Sequence, residues 1–285
     1  MLQLENVVVQ FGALRAVDGV SLSLQHGERR AIIGPNGAGK TTLFNAITGV
    51  TIPTEGRVVV EGIDLTKAPP HLRARSGIGR TFQITNLFAN LTIAENMRLA
   101  IRGLAPSKFS LFGGDRLPAV DRERVDQALA ISRLGGRRNV IVSELSYGEQ
   151  RQLEIAMALV MHPRLLLLDE PAAGLSATER TYVAEILSAL PRDLTMVLIE
   201  HDMELALRLV DFVTVMFNGR VLVEGGRNVP ARRLPAVDRF PRRRSGTTSI
   251  RAYRQSAGAG CAAPAHPSSA HTRLHCVGRA HSHRR

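Results

Sequence analysis

The chain has 285 residues, with 37 Lys and Arg against 25 Asp and Glu, and this length suits one large domain or two small ones. The net charge of +12 is uneven: residues 226–285 hold 13 Arg and one acidic residue, so residues 1–225 carry 24 basic and 24 acidic side chains. The neutral body removes most of the case for a nucleic-acid-binding domain, and both cysteines, Cys261 and Cys276, lie outside it, which excludes a disulfide framework there and suits the cytosol.

The N-terminal part of the chain has the pattern of short β-branched strands. Residues 1–5 lack the basic start and apolar run of a signal peptide, and no apolar stretch approaches the roughly 20 residues that span a bilayer. We therefore expect a soluble body. Strands are predicted at residues 4–11, 21–25 and 57–60, with turns at Asp18-Gly19 and His26-Gly27 between them.

A phosphate-binding loop follows a predicted strand at residues 31–33 and precedes helical spacing over residues 42–47. Residues 34–41 fit the P-loop pattern Gly-x-x-x-x-Gly-Lys-Thr, in which backbone N–H groups wrap a triphosphate. In such a loop Lys40 reaches the β- and γ-phosphates, and the Thr41 hydroxyl ligates Mg²⁺. The predicted ATP-binding residues here are Gly34, Pro35, Asn36, Gly37, Ala38, Gly39, Lys40, Thr41 and Thr42.

The middle of the chain changes to helical patterns. Thr92 and Glu95 form a capping box that predicts the start of a helix, whereas residues 103–118 are irregular and rich in Gly, Pro, Ser and Phe, which predicts a loop. Further helices are predicted at residues 121–134 and 149–161.

The second of these helices begins with the sequence Leu-Ser-Tyr-Gly-Glu-Gln at residues 145–150. One interpretation is a plain N-cap, because Ser146 and Glu149 form a capping box. The other is an anion-binding helix N-terminus. Since one P-loop already serves one nucleotide, a second phosphate-binding helix end makes sense if it grips nucleotide held by another subunit.

Four leucines at residues 165–168 predict a buried strand that ends at Asp169 and Glu170. Open α/β sheets bind ligands at such strand ends. There Asp169 would hold Mg²⁺ through water and Glu170 would polarise the attacking water, the alternative being an ordinary pair of solvated carboxylates. The remaining predicted elements are a helix at 178–189, a strand at 196–199 and a strand pair at 212–216 and 220–223. This alternation predicts the α/β class with a helical insertion.

Five motifs stand in the order of a known family. They are the P-loop, Gln83 in Thr81-Phe82-Gln83, residues 145–150, Asp169-Glu170 after the leucine run, and His201 after the strand at 196–199. Together they make residues 1–225 resemble the nucleotide-binding subunit of ABC transporters. The resemblance implies an α/β fold: a P-loop NTPase (RecA-like) core with an antiparallel β subdomain and an α-helical subdomain inserted at about residues 85–160. It also implies that ATP and Mg²⁺ are bound.

The resemblance further implies a role for each matching residue within the subunit. Phe11 would stack on adenine, the alternative being a core Phe that ends the first strand. Gln83 would contact Mg²⁺ and the attacking water, and His201 would contact the γ-phosphate. The implied catalytic residues are Glu170, His201 and Gln83, and the implied metal-binding residues are Thr41, Gln83 and Asp169.

Other implied roles involve a second subunit. Ser146 and Gly148 would bind the γ-phosphate of ATP held by the opposite subunit, so that two subunits close head-to-tail on two ATPs. The implied signature residues are Ser146, Tyr147, Gly148 and Glu149. Two positions depart from the family: Tyr147 stands where Gly is commonest, and Ser176 stands where Asp or Asn usually follows Leu. The second departure implies weaker or asymmetric communication between the two sites.

Within the family, residues 79–88, 91–96 and 170–175 are similar to ATPases of bacterial branched-chain amino acid uptake systems. Relatives that import urea or short amides share much of this pattern. A soluble ABC-type ATPase acting on nucleic acid or ribosomes and an export ATPase are further alternatives. The main interpretation implies two permease subunits, a second ATPase subunit and a solute-binding protein as partners, and no specific nucleic acid. It places the chain peripherally on the cytoplasmic face of the bacterial inner membrane.

The similarity stops at about residue 225. Residues 226–285 are rich in Arg, Pro, Ala, Ser and His without periodicity, a composition that predicts a disordered basic tail. Three interpretations compete: a tail that binds anionic lipid or nucleic acid, a zinc site that uses its Cys and His residues, including His271 and His275, and out-of-frame translation of a GC-rich gene. The abrupt change of composition favours the last.

Overall fold

The computed structural model describes residues 1–81, 87–104 and 118–226, and within them two sheets and a group of helices. The strands are β1 (Leu2–Phe11), β2 (Leu14–Leu24), β3 (Arg29–Ile33), β4 (Glu55–Val60), β5 (Ile63–Asp64), β6 (Ile78–Arg80), β7 (Leu165–Asp169), β8 (Thr195–Ile199), β9 (Phe212–Phe217) and β10 (Arg220–Gly226). The helices are α1 (Lys40–Thr48), α2 (Pro70–Arg75), α3 (Ile93–Leu104), α4 (Ala119–Ile131), α5 (Tyr147–Leu159), α6 (Ala177–Ser188) and α7 (Met203–Leu209). None of these helices is long and apolar enough to cross a membrane.

The central sheet is buried on both faces. Its strand order is β10-β9-β3-β8-β7-β6, and all neighbours are parallel except the antiparallel pair of β9 and β10. In β7, Leu165 and Leu167 pack into a cluster with α1, whereas Leu166 and Leu168 pack into a second cluster with α6 and α7. The predicted leucine strand is therefore confirmed as a doubly covered parallel strand. Parallel order also brings the ends of β3, β7 and β8 to one edge, where the predicted site residues follow.

A smaller antiparallel sheet, ordered β2-β1-β4-β5, packs over α1. The predicted turn at Asp18-Gly19 is wrong, because β2 begins at Leu14 and runs through both residues. Gly19 (φ +69°) and Asn6 (φ +52°) lie where the pairing of β1 and β2 shifts register, so the chain bulges instead of reversing. The turn at His26-Gly27 is confirmed, with Gly27 at φ +71°.

Helices α3, α4 and α5 enclose a third apolar cluster of their own. The capping box before α3 is confirmed: Thr92 Oγ1 accepts the Glu95 N–H at 3.2 Å, and the Glu95 carboxylate accepts the Thr92 N–H at 2.7 Å. Helix α4 ends at Ile131, before the predicted end, because the chain turns at Arg133 (φ +61°). Leu134 nevertheless joins the cluster. Residues 105–117, most of the predicted loop, lie outside the described residues.

The predicted strand pair at the end of the body is confirmed. Asn218 (φ +48°) and Gly219 (φ +78°) both adopt the left-handed conformation that a two-residue hairpin turn requires. Strand β10 continues to Gly226, and its Glu224 accepts a hydrogen bond from the buried Arg30 at 2.8 Å. The end of β10 is thus tied into the central sheet. The predictions for the tail concern residues beyond 226, which lie outside the described residues.

Candidate active site

Two glycines fix the P-loop against the sheets. A Cβ on Gly34, which follows β3, would stand 2.2 Å from the Met216 carbonyl oxygen of β9. A Cβ on Gly39, at φ +95°, would stand 2.2 Å from the Ala16 carbonyl oxygen of β2. Since no side chain fits at either position, the loop lies close against both sheets and leads directly into α1.

The loop borders a cavity of about 510 Å³. Its lining unites most of the predicted ATP-binding residues with two predicted catalytic residues: Asn36, Gly37, Ala38, Gly39, Lys40, Thr41, Thr42, Glu170 and His201. Among the described residues no side chain caps the start of α1, and its first turn has no acidic residue. An uncapped helix N-terminus is suited to an anion, because its N–H groups and dipole both favour negative charge.

Lys40 lies inside the loop. Its Nζ donates to the carbonyl oxygens of Gly34 at 2.8 Å and Pro35 at 3.0 Å, so these two predicted residues contact the lysine instead of the cavity. Burial lowers the pKa of Lys40, while Glu170 and Asp169 act to raise it. The ammonium group is thus held at the phosphate-binding loop by carbonyl oxygens that an anionic ligand can replace.

Asp169 ends β7 with a fully buried side chain. Oδ2 pairs with Arg80 Nη2 at 3.1 Å, whereas Oδ1 has no hydrogen-bond partner among the described residues. Burial raises the pKa of Asp169, and the Arg80 guanidinium opposes this rise. A buried carboxylate oxygen without a donor is the kind of hard anionic ligand that Mg²⁺ prefers, directly or through water.

Arg80, at the end of β6, is a site residue that sequence reasoning missed. Besides its pair with Asp169, it donates to Asn45 Oδ1 at 2.6 Å and to Thr48 Oγ1 at 3.2 Å, both on α1. One buried guanidinium therefore joins the P-loop helix to the acidic end of β7. No local sequence pattern marks this arginine.

Glu170 has a left-handed backbone conformation (φ +50°), and its N–H donates to the Ile199 carbonyl oxygen at 2.9 Å. A non-glycine residue held there costs roughly 1–3 kcal/mol, and such conformations cluster at active sites. Glu170 Oε1 lies 2.7 Å from His201 Nε2. The structure thus brings two predicted catalytic residues into direct contact with each other.

Glu200, also missed by sequence reasoning, holds the backbone near Glu170 and His201. Its buried carboxylate accepts the Ala172 N–H at 3.0 Å and the His201 N–H at 3.1 Å. Burial raises the pKa of Glu200, and these backbone hydrogen bonds act to lower it. Glu200 thus joins Ala172, just after Glu170, to His201.

The sequence at residues 145–150 lies on a second cavity, of about 380 Å³, that shares no lining residue with the first. The capping box of Ser146 and Glu149 is confirmed at the start of α5. The N–H of Gly148 donates to Glu179 Oε1 on α6 at 3.1 Å. The residues that line this second cavity are Arg133, Ser146, Gly148, Glu149, Gln152, Glu179 and Tyr182.

Comparison with known proteins agrees with this geometry. The family described as ABC transporter matches residues 17–173. The branched-chain amino acid transport ATP-binding proteins BraF of Pseudomonas aeruginosa and LivG of Salmonella typhimurium are 38% and 40% identical to the chain, each over 79% of it and 91% of the relative. The chain belongs to the ABC transporter family. The predicted P-loop NTPase fold is confirmed, and the chain is an ATPase of this family.

Solved ABC cassettes resemble the chain in three dimensions. A cassette crystallised in its ADP conformation has a TM-score of 0.69 and 35% identity, covering 79% of this chain and 91% of that one. A dimeric post-hydrolysis cassette bound to ADP and Pi has a TM-score of 0.66 and 28% identity, covering 79% and 98%. Both lie within the family that the site motifs predicted.

Two predicted ABC residues are not among the described residues that line the first cavity. Phe11 ends β1 with 54% of its surface exposed, so the alternative of a core Phe is wrong. It is not among the described lining residues of the cavity, and stacking on adenine stays a prediction. Gln83 falls outside the described residues.

The departure from the ABC pattern at Tyr147 has a physical explanation. Its ring lies 5.3 Å from the Arg151 guanidinium, and its hydroxyl accepts a hydrogen bond from Arg151 at 3.0 Å. Gly174 lies against the same ring, since a Cβ there would be 3.3 Å from it. Tyr147 thus packs the start of α5 against the segment that follows Glu170.

Proposed function

We propose that this ABC ATPase drives an importer for branched-chain or other hydrophobic amino acids. The observation that carries the proposal is the first cavity, which joins a complete P-loop to Glu170 and His201. The substrate class is supported by the relatives BraF and LivG, whose names state branched-chain amino acid transport. No observation favours urea or amide import, export, or action on nucleic acid.

Phosphate binding falls to the loop and α1. The backbone N–H groups at the start of α1 cradle the phosphates, and Lys40 exchanges the Gly34 and Pro35 carbonyl oxygens for β- and γ-phosphate oxygens. Because Phe11 is more than half exposed at the end of β1, its ring is available to stack on adenine.

Mg²⁺ would be held by Thr41, by Asp169 through its unpartnered Oδ1, and by Gln83. Phosphate oxygens and water would supply its remaining ligands. When bound, the ion neutralises charge that develops on the transferred phosphoryl group. Arg80 fixes Oδ2 of Asp169 and so leaves Oδ1 directed away from the ion pair.

Hydrolysis requires a base beside the γ-phosphate. Glu170 accepts a proton from the attacking water while the water oxygen bonds to the γ-phosphorus and the ADP oxygen leaves. His201 positions the Glu170 carboxylate through their 2.7 Å contact and lies on the same cavity, where it contacts the γ-phosphate.

The active form is a head-to-tail dimer with a second ATPase subunit, identical or related. Ser146 and Gly148 then complete the site of the partner, and Tyr147 and Glu149 shape the same loop. This is supported by the separate second cavity and by the likeness to a dimeric cassette. Closure of the dimer acts on two permease subunits, which receive substrate from a solute-binding protein. The chain is peripheral to the membrane, on the cytoplasmic face of a bacterial inner membrane.

Reconstitution tests this function. The chain and its partner ATPase subunit are assembled in lipid vesicles with the permease subunits of the same transport system. ATP-driven uptake of labelled leucine, valine and urea is measured in the presence of the solute-binding protein. We expect uptake of leucine and valine that Glu170→Gln abolishes. Uptake of urea alone would contradict the substrate class, and ATP turnover without uptake of any solute would contradict the importer.

A further inference from the structure

One carboxylate joins the segment that the proposed function places against the partner subunit to the N-cap of α6. Glu179, in the first turn of α6, accepts the Gly148 N–H at Oε1. Its Oε2 accepts the Ser176 N–H at 2.9 Å and the Ser176 hydroxyl at 2.7 Å. Glu179 therefore links the loop at residues 145–150 to the N-cap of α6.

The same carboxylate covers Gly148. Ser146 and Tyr147 are exposed, whereas Gly148, the second residue of α5, is buried. A Cβ on Gly148 would stand 2.5 Å from Glu179 Oε1 and 2.8 Å from its Cδ. A side chain at position 148 would therefore have to displace the Glu179 carboxylate, and the N–H that is expected to meet phosphate already has an anionic acceptor.

Ser176, which departs from the family pattern, supports this arrangement. Its hydroxyl and N–H lower the pKa of Glu179, and the Gly148 N–H adds to this effect. An ionised Asp in place of Ser176 would have no side-chain donor to offer and would repel the Glu179 carboxylate. The serine thus suits a chain in which Glu179 stays charged and in place.

We infer that Glu179 is a positioning residue that holds the Gly148 N–H until the γ-phosphate of partner-held ATP replaces it. The inference rests on the proposed function, in which Gly148 contacts that phosphate. Phosphate and carboxylate are both anions and compete for one N–H, so closure of the dimer has to displace the carboxylate. Ser146, Gly148 and Glu179 line one cavity, which gives the side chain room to move aside.

Glu179→Gln separates this role from a structural one. A Gln is accepted in a capping box, and its single amide oxygen can stay with Ser176 while Gly148 loses its anionic acceptor. The test is made in a Glu170→Gln background, which slows hydrolysis. We expect the ATP-driven dimer of the double variant to have a dissociation constant about tenfold lower than that of Glu170→Gln alone, because the charge-assisted hydrogen bond from Gly148 to Glu179 no longer has to be broken. Glu204→Gln on α7 is the control: it removes the same charge from an exposed residue that pairs with Arg208, and neither residue lines this cavity.

Sedimentation gives the dissociation constant, and amide hydrogen exchange of the nucleotide-free chain reports on Gly148. We expect Glu179→Gln to speed amide hydrogen exchange at Gly148 and to tighten dimerisation at an unchanged Tm. Glu204→Gln should behave like its parent. Unchanged exchange, or dimerisation that is equal or weaker, would overturn the inference. If Glu170→Gln alone does not dimerise with ATP, the homodimeric form of the proposed function is wrong. A dimer that Glu179→Gln leaves unaltered contradicts only the displacement of Glu179 by phosphate.

Discussion

The backbone N–H groups at the N-termini of α1 and α5 are treated differently by the chain. At α1 no described side chain caps the first turn, and Lys40 adds positive charge. At α5 the chain supplies its own acceptors: Ser146 and Glu149 form a capping box, and Glu179 takes the Gly148 N–H. One helix end is thus open to an external anion, and the other is already satisfied by carboxylates and a hydroxyl.

This difference teaches how one chain can carry two halves of different sites. The α1 end has Glu170 in its cavity and the buried Asp169 nearby, and under the proposed function it binds and hydrolyses a nucleotide once the partner subunit completes the site. The α5 end has no Lys among the described residues that line its cavity, and its two carboxylates, Glu149 and Glu179, already accept backbone N–H groups. Under the inference above, it donates the Gly148 N–H to phosphate only when Glu179 is displaced. Each prediction below breaks or sharpens this contrast.

The largest effect is expected at Glu170, on the α1 side. Glu170→Gln preserves shape but removes the base, so turnover should fall about 10²–10⁴-fold while ATP binding is retained. Single-turnover hydrolysis and fluorescent-nucleotide binding measure the two quantities. Glu149→Gln, on the α5 side, is the matched control and should retain more activity. Hydrolysis by Glu170→Gln near the wild-type rate would refute its assignment as the base.

A second large effect is expected at Arg80, which joins α1 to Asp169. Arg80→Met leaves Asp169 as a buried charge without its partner, which costs about 3–5 kcal/mol of unfolding free energy. Arg57→Met, which removes an exposed pair with Asp64, is the control and should cost about 0–1 kcal/mol. Urea denaturation measures both. Equal, small losses of unfolding free energy in both variants would show that the buried pair of Arg80 and Asp169 is no more important than an exposed one.

The smallest effect is expected from the tail, which is not part of the proposed site. Removing residues 228–285 should leave Tm and ATPase rate unchanged and reduce salt-sensitive binding to nucleic acid or anionic lipid. Removing residues 220–285 is the control, and it should lower Tm because it deletes β10 and the Arg30–Glu224 pair. Loss of ATPase activity in the shorter deletion would make the tail part of the functional protein.

Local patterns predicted much of this molecule because each depends on residues close in the sequence. The leucine run before Asp169, the P-loop before α1 and the capping box before α5 all lie within a few positions. The Asn218-Gly219 hairpin is of the same kind. In each case the backbone conformation and the chemistry are set by the same short segment.

The remainder depends on contacts between distant segments. Arg80 and Asp169 are 89 positions apart, and Gly148 and Glu179 are 31 apart, so neither pair forms a pattern. The turn predicted at Gly19 is wrong because β2 pairs with β1 on both sides of this residue, so that its positive φ produces a β-bulge instead of a chain reversal. Side-chain exposure is also set by the fold, which is why the sequence left the burial of Phe11 open.

Complementation between subunits tests the two-halves account most directly. A Ser146→Arg chain keeps an intact α1 half, and a Lys40→Ala chain keeps an intact α5 half. Mixed dimers, isolated through two different affinity tags, pair the intact halves in one site and the damaged halves in the other. We predict that each variant alone is inactive and that mixed dimers regain about half of the wild-type ATPase rate per dimer, one complete site of two. Mixed dimers that form and remain inactive would contradict the account.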